Sequence, residues 1–166
     1  MTFRRLLAIA LLSLACTGPD AAPKASQSVA RFSVAENATS LASKPGGTFE
    51  LHVTAAIDSG WHVYSLTQKS GGPVPLSISV APTEVFTLDG APKGPQPTVK
   101  VDPTFGMDTE TYDGTPLFIV PVRIGTSAPS GVHTLDVTVR SQTCSDWLCL
   151  DPKTTRLTVP VTVAAR

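Results

Sequence analysis

Apolar and polar residues alternate along several segments of this 166-residue chain. Nearly every second residue is apolar at positions 49–57, 135–139 and 157–163. This period of two is typical of a β-strand that buries one face. Shorter segments of the same character lie at positions 32–34, 76–80, 99–101 and 118–124. The pattern predicts β-strands, and no window carries an apolar repeat of 3.6 residues for longer than about two helical turns.

Turn-forming residues separate these segments at positions 58–60, 89–90, 113–114 and 130–131, where Gly follows Asp or Ser. Short strands with one apolar face each need a second sheet to cover those faces. We therefore predict an all-β fold, a β-sandwich of about seven to nine antiparallel strands. Pro121 and Pro160 lack the N–H group that a ladder requires, so their strands are predicted to lie at sheet edges or to carry bulges.

The composition agrees with an all-β domain and excludes one class of partner. Pro and Gly number 15 and 12, as many turns require. Thirteen basic residues balance thirteen acidic ones, and the basic residues are not clustered. Binding to nucleic acid needs clustered Lys and Arg to neutralise phosphates. We therefore expect no nucleic-acid partner.

The N-terminus resembles a targeting signal. Two arginines precede an apolar run at residues 6–15, which is too short to span a bilayer of about 30 Å. Residues 13–16 (Ser-Leu-Ala-Cys) resemble a lipobox, which predicts that Cys16 is lipidated and becomes the new N-terminus. In the alternative interpretation an ordinary signal peptidase cleaves near residues 21–22 and removes Cys16. Both interpretations predict export.

These features predict three parts. Residues 1–15 are a signal peptide, residues 16–28 are a flexible tether rich in small and polar residues, and residues 29–166 are the folded domain. No later apolar run is long enough for a transmembrane helix. We expect an exported monomer that contacts the membrane only through a lipid on Cys16.

Two cysteines remain in the folded domain. Cys144 ends one predicted strand and Cys149 begins the next, with four residues between them. This is an ordinary hairpin length, so the two residues are predicted to face each other across the strands. Opposed Cβ atoms at about 4 Å can form a disulfide without large movement of the backbone.

Two interpretations of this pair are open from spacing alone. The bond can staple a hairpin, although a loop this short contributes only about 2 kcal/mol. It can instead be a redox-active bond that an incoming thiolate reaches at the hairpin tip. The C-x4-C spacing differs from the C-x-x-C of thioredoxin-like folds. No cofactor is expected, and no metal, because His52, His62 and His133 lack a metal-ligand spacing.

A family resemblance extends over about residues 29–164. Its motifs are Gly-Trp-His-Val-Tyr-Ser at residues 60–65, Gly-Gly-Pro at 71–73, Phe-Gly at 105–106, Tyr-Asp-Gly at 112–114, Phe-Ile-Val-Pro-Val at 118–122 and Gln-Thr-Cys…Cys-Leu-Asp-Pro at 142–152. In this order they resemble the N-terminal periplasmic domain of the thiol:disulfide interchange protein DsbD. The last motif is the most specific.

The resemblance implies an immunoglobulin-like fold and a redox-active Cys144–Cys149 pair. The pair would take electrons from a membrane-embedded or thioredoxin-like thiol reductase and pass them to oxidised periplasmic proteins. The chain would thus be a protein-disulfide reductase or electron-carrier component. By analogy, Cys149 forms the mixed disulfide with a partner and Cys144 resolves it.

The resemblance also implies a cap loop over the pair. The matching stretch is residues 102–107, in which Asp102, Phe105 and Gly106 belong to the site and Phe105 shields the sulfurs. Tyr64 and Trp147 are expected to line the site.

Two departures from the family pattern bear on the interpretation. DsbD continues into transmembrane helices and a thioredoxin-like domain, so here we expect another polypeptide to supply the electrons. The loop at residues 145–148 is one residue shorter than in well-known members. The alternative function is a non-catalytic, lipid-tethered binding module with a structural disulfide, and a metal-handling surface domain ranks third.

Overall fold

A computed structural model describes residues 28–34 and 42–165, and these residues form strands and loops without a helix. The strands are β1 (Ala30–Val34), β2 (Ala42–Ser43), β3 (Thr48–Ile57), β4 (His62–Tyr64), β5 (Ser77–Val80), β6 (Phe86–Leu88), β7 (Thr98–Asp102), β8 (Met107–Tyr112), β9 (Leu117–Ile124), β10 (Gly131–Ser141), β11 (Thr143–Cys144) and β12 (Lys153–Val163). The all-β prediction is confirmed. The described ranges hold no helix with the length and apolar character to cross a membrane.

The strands form three four-stranded sheets. The first has the order β1-β3-β9-β6, the second β2-β12-β10-β5 and the third β11-β4-β8-β7. Neighbouring strands pair antiparallel except β12 and β2, which are parallel. The longest pair joins β10 to β12 over eleven residues each, and it ends beside the cysteines.

The first two sheets pack face to face around one apolar core. Alternate residues of β3, β9, β10 and β12 point inward and are almost fully buried: Leu51, Val53, Ala55, Phe118, Val120, Val122, Leu135, Val137, Val139, Val159, Val161 and Val163. Each buried Val, Leu, Ile or Phe side chain contributes about 1.5–3 kcal/mol. The alternation seen in the sequence is therefore the inward face of a β-sandwich, as predicted.

The strand count in the described residues is twelve, above the seven to nine expected. The additional strands are mainly β2, β4, β6 and β11, which have two or three residues each. Segments this short show no alternation, because a period of two needs at least four residues to be recognised.

Two prolines lie in internal strands whose register runs through them without a bulge, so the prediction that these strands lie at edges or carry bulges is wrong. Pro121 is in β9, between β3 and β6, and Pro160 is in β12, between β2 and β10. Pairing of β9 with β6 begins one residue after Pro121, whose carbonyl accepts a hydrogen bond from Asp89 N at 2.9 Å. In an antiparallel strand the N–H and C=O of one residue point to the same side. The N–H group that Pro121 lacks would therefore point toward the β6 side, where the pairing of β9 with β6 has ended.

The third sheet has one face toward the core and one toward a groove. Val63 and Tyr112 are cross-strand partners, and both belong to the apolar core. His62 and Tyr64 flank Val63 on β4, so their side chains project from the opposite face. Cys144 pairs with His62 and lies on that second face as well. This small sheet therefore positions the cysteine pair.

The N-terminal predictions fall outside the described residues. The signal peptide at residues 1–15, Cys16 with its lipobox, the cleavage site near residues 21–22 and nearly all of the tether precede residue 28.

Candidate functional site

Cys144 and Cys149 are joined by a disulfide bond, and their Cα atoms are 4.0 Å apart. Cys144 ends β11, and Cys149 pairs with it through an isolated antiparallel bridge. The two residues are thus opposed across a hairpin, the arrangement that their spacing predicts.

Ser145 shapes the loop between the cysteines. Its N–H donates to Leu148 O at 2.8 Å, and its Oγ accepts hydrogen bonds from the N–H groups of Trp147 at 3.3 Å and Leu148 at 3.1 Å. A serine hydroxyl that accepts from residues two and three positions later is a common turn device. On the far side of the pair, Leu150 N donates to Thr143 O at 2.9 Å. Backbone hydrogen bonds therefore hold the hairpin on both sides of the disulfide.

The two cysteines differ in exposure. Cys144 is 1% exposed, whereas Cys149 is an exposed residue. The neighbours of Cys149 are exposed as well, with Trp147 at 95%. Thiol–disulfide exchange requires direct approach to the sulfur that is attacked, and Cys149 is the more accessible of the two residues.

Three side chains form a row across the strands at the disulfide. Cys149 pairs with Cys144, and Cys144 pairs with His62. Directly opposed residues of antiparallel strands project from one face, with Cβ atoms about 4.5–5.5 Å apart. Tyr64 lies next to this row, because its ring packs edge-to-face on the His62 ring with centroids 5.4 Å apart.

A groove of about 440 Å³ lies over this face. Its lining includes Cys149, the loop at residues 145–148 and the β7–β8 hairpin at residues 100–105. His62 and Tyr64 also line it. The groove is therefore the space between the cysteine hairpin and the hairpin that contains the expected cap loop.

The cap loop is a tight turn held by Asp102. Its carboxylate accepts a hydrogen bond from Thr104 N at 2.8 Å, and its carbonyl accepts one from Gly106 N at 2.8 Å. Gly106 has a φ of 63°, in the left-handed region that favours glycine. Phe105 is half-buried, and its ring packs edge-to-face on Tyr64 with centroids 6.2 Å apart. The turn therefore places an aromatic ring in the wall of the groove that contains Cys149.

The environment keeps two ring side chains of the groove neutral. Burial, and to a smaller extent the Asp102 carboxylate, raises the pKa of Tyr64 to about 12. Burial lowers the pKa of His62 below its usual value, and the carboxylates of Asp146 and Asp102 oppose this shift only in part. At pH 7 Tyr64 is a phenol and His62 is an uncharged imidazole.

The structure brings most of the predicted site residues together. Cys149, Tyr64, Asp102, Phe105 and Trp147 line one groove. Cys144 lies beneath it, Gly106 forms the turn beside it, and Cys16 is outside the described residues.

Sequence reasoning missed His62 as a member of the site. It weighed His62 only as a metal ligand, and the described residues contain no group of three or more His, Cys, Asp or Glu side chains able to hold a metal ion. Alternation along residues 62–64 places His62 on the same face as Tyr64. Its pairing with Cys144, however, depends on the register of two short strands.

Fold and site together define a β-sandwich domain with a disulfide at its surface, set in a groove below an aromatic cap loop. The chain matches the family described as thiol:disulfide interchange protein DsbD, N-terminal, over residues 29–160, and it belongs to this family. Membership in this family agrees with the predicted immunoglobulin-like β-sandwich, and it supports a periplasmic role in thiol–disulfide interchange with thioredoxin-like and other thiol redox partners.

The solved structures that are similar to the chain include two N-terminal domains. The N-terminal periplasmic domain of ScsB from Proteus mirabilis is 18% identical with a TM-score of 0.50, and the match covers 78% of this chain and 44% of that one. The N-terminal domain of DsbD from Neisseria meningitidis, in the reduced form, is 16% identical with a TM-score of 0.49, covering 71% and 82%. Among curated proteins, none matches this sequence.

Proposed function

We propose that the Cys144–Cys149 pair carries electrons between extracytoplasmic thiol proteins. A membrane-embedded or thioredoxin-like thiol reductase reduces the disulfide, and the resulting dithiol reduces oxidised periplasmic proteins. The observation that carries the proposal is the unequal exposure of the two sulfur-bearing residues. Cys149 is exposed in the groove, while Cys144 is 1% exposed. A disulfide that only stabilises the fold does not require one exposed and one buried cysteine.

Reduction of the pair proceeds in two exchanges. A partner thiolate attacks the sulfur of Cys149, the Cys144–Cys149 bond breaks, and Cys144 leaves as a thiolate that takes up a proton. The second thiol of the partner then attacks the mixed disulfide. This step releases Cys149 as a thiolate and leaves the partner oxidised. Two electrons have moved to the pair, and the partner has formed one disulfide.

Delivery of the electrons follows the reverse order. The thiolate of Cys149 attacks a disulfide of the oxidised protein, and one sulfur of that protein leaves. Cys144 then attacks Cys149, re-forms the internal disulfide and releases the second sulfur. The oxidised protein gains two electrons and two thiols.

The cap loop and the exposed apolar residues control access. Phe105 lies in the groove wall against Tyr64, so a partner thiolate approaches Cys149 past this ring. Three exposed apolar residues line the groove, and a fourth follows Cys149 in the chain; together they are named here the apolar rim: Val101, Trp147, Leu148 and Leu150. Exposed apolar patches of this kind mark contact sites for other proteins. The apolar rim is therefore the proposed docking surface for the redox partners.

In this proposal the N-terminal residues determine where the domain is located in the cell. Residues 1–15 direct export, Cys16 receives a lipid, and residues 16–28 tether a monomeric domain, residues 29–166, to the membrane. Metabolic labelling with a radioactive fatty acid would test this part. Label on the wild type and none on Cys16→Ser is expected, whereas an unlabelled wild type would support cleavage near residues 21–22.

Disulfide trapping in cells tests the exchange function. In Cys144→Ser the mixed disulfide at Cys149 has no internal thiol to resolve it, so partner proteins should remain covalently attached and be identified by mass spectrometry. Cys149→Ser is the matched control, because it leaves only the buried cysteine and should trap nothing. Equal recovery from both variants, or none from Cys144→Ser, would contradict the proposal.

The reduction potential separates the proposal from its alternative. A value near that of periplasmic redox proteins is expected in equilibrium with a glutathione buffer. A value below about −300 mV would place the bond among structural disulfides. That result would favour a lipid-tethered binding module whose disulfide staples a hairpin.

A further inference from the structure

His62 is the cross-strand neighbour of the buried cysteine. It lies directly opposite Cys144 in the β4–β11 pair and projects from the same face of the sheet. Cys149 lies on the other side of Cys144 in the same row. The imidazole is half-buried and lines the groove. Of the titratable side chains that the structure describes around the pair, His62 alone is a direct strand partner of Cys144.

The exchange chemistry requires Cys144 to lose and gain a proton. Cys144 must attack as a thiolate when it resolves a mixed disulfide, and it becomes a thiolate when it leaves. Burial penalises a charged sulfur, because the interior solvates it poorly. At 1% exposure, Cys144 also has little access to water or buffer bases. A proton acceptor inside the protein would remove this obstacle.

We propose that His62 accepts the proton of the Cys144 thiol as Cys144 attacks the mixed disulfide, and returns it when Cys144 is released in the opposite direction. The inference rests on the proposed function and assigns a proton-transfer role to a residue of the same site. The geometry that carries it is the row Cys149, Cys144 and His62 across adjacent strands.

Charged groups from three other segments face His62. They are Asp146 of the cysteine loop, Asp102 and Lys100 of β7, and Asp113 of the turn after β8. Burial is the largest influence, and it keeps the imidazole neutral at pH 7. A neutral imidazole has a free basic nitrogen, and the three carboxylates then stabilise the imidazolium that forms. Burial thus leaves a basic nitrogen free at pH 7, and the carboxylates offset part of the cost of charging the ring when it accepts the proton.

The step balances in atoms and electrons. The S–H bond of Cys144 breaks, its proton moves to a ring nitrogen of His62, and its sulfur electron pair forms the bond to Cys149. The bond between Cys149 and the partner sulfur breaks, and the partner leaves as a thiolate. His62 then releases its proton to solvent or to the departing thiolate.

Stopped-flow reaction of the fully reduced domain with a limiting amount of dithiobis(nitrobenzoate) tests the inference. Attack by Cys149 releases one coloured thiolate, and resolution by Cys144 releases the second. Because this leaving thiolate needs no proton, the pH dependence of the second phase reports loss of the Cys144 proton. The wild-type second phase should rise with pH through the ionisation of His62 and then level off.

In His62→Gln the second phase at pH 7 should slow by about a hundredfold, the lower part of the range for general bases. Its rate should then rise about tenfold per pH unit, because hydroxide replaces the base. The first phase should be unchanged. His52→Gln, the same substitution on β3 of another sheet, is the matched control and should behave as wild type.

A second variant guards against a structural effect of the substitution. In His62→Ala, added free imidazole should accelerate the second phase, whereas the wild type should not respond. Two results would overturn this inference but leave the proposed function standing. One is an unchanged second phase and pH profile in His62→Gln, and the other is no response of His62→Ala to imidazole. Failure of the wild type to give either phase would overturn the proposed function as well.

Discussion

Trp147 provides a direct test of the docking surface. It is 95% exposed at the tip of the cysteine loop, so it supports almost no packing in the free domain. Trp147→Ala should therefore change the free energy of unfolding by less than about 0.5 kcal/mol. A Trp that becomes buried at the centre of an interface contributes about 2 kcal/mol or more. Since about 1.4 kcal/mol equals a factor of ten, KM for a redox partner should rise about thirtyfold.

The assay measures the rate of disulfide reduction by a reduced thioredoxin-like protein over a range of concentrations. Dithiothreitol serves as a second reductant that needs no docking surface, and its rate with Trp147→Ala should match the wild type. Val132→Ala is the matched control, because Val132 is 72% exposed at the far end of β10. An unchanged KM for Trp147→Ala would refute the assignment of the apolar rim, as would an equal loss with dithiothreitol.

Two further predictions concern the cap loop. Phe105→Ala removes the edge-to-face contact with Tyr64, worth about 1 kcal/mol, so the open fraction of the loop and the rate of reduction by dithiothreitol should rise about fivefold. A rate equal to that of the wild type, measured by quenching with an alkylating reagent, would show that Phe105 does not shield the pair. Gly106→Ala forces a side chain into a φ of 63° without a steric clash, so it should lower the free energy of unfolding by about 1 kcal/mol in urea denaturation. Unaltered stability there would contradict the assigned role of the turn.

The sandwich could be predicted from sequence because its signal is local. Alternation along residues 49–57 and 157–163 specifies which side chains face inward, and these positions are buried, except that Phe49 and Leu157 are half-buried. The opposed cysteines were predictable for the same reason, since four intervening residues define a hairpin. In both cases a short stretch of chain contains all the information needed.

The third sheet and the place of His62 could not be predicted in this way. The sheet contains β4 and β11, which have three and two residues, and the pairing of His62 with Cys144 joins positions 82 residues apart in sequence. Register between such strands depends on packing of the whole fold and not on any local pattern. At Pro121 a valid local rule gave a wrong prediction. The rule predicted an edge strand, whereas β9 lies inside its sheet and only its pairing with β6 ends beside Pro121.

The hydrogen bonds around the cysteine hairpin have a consequence for the reduced protein. Ser145 N to Leu148 O and Leu150 N to Thr143 O connect backbone atoms only, and neither depends on the covalent link between the sulfurs. The eleven-residue β10–β12 ladder leads directly into this hairpin. When the sulfur–sulfur bond opens, the scaffold keeps both thiols side by side at high effective concentration. In the proposed function, the domain therefore gains and loses two electrons repeatedly without rebuilding any part of its architecture.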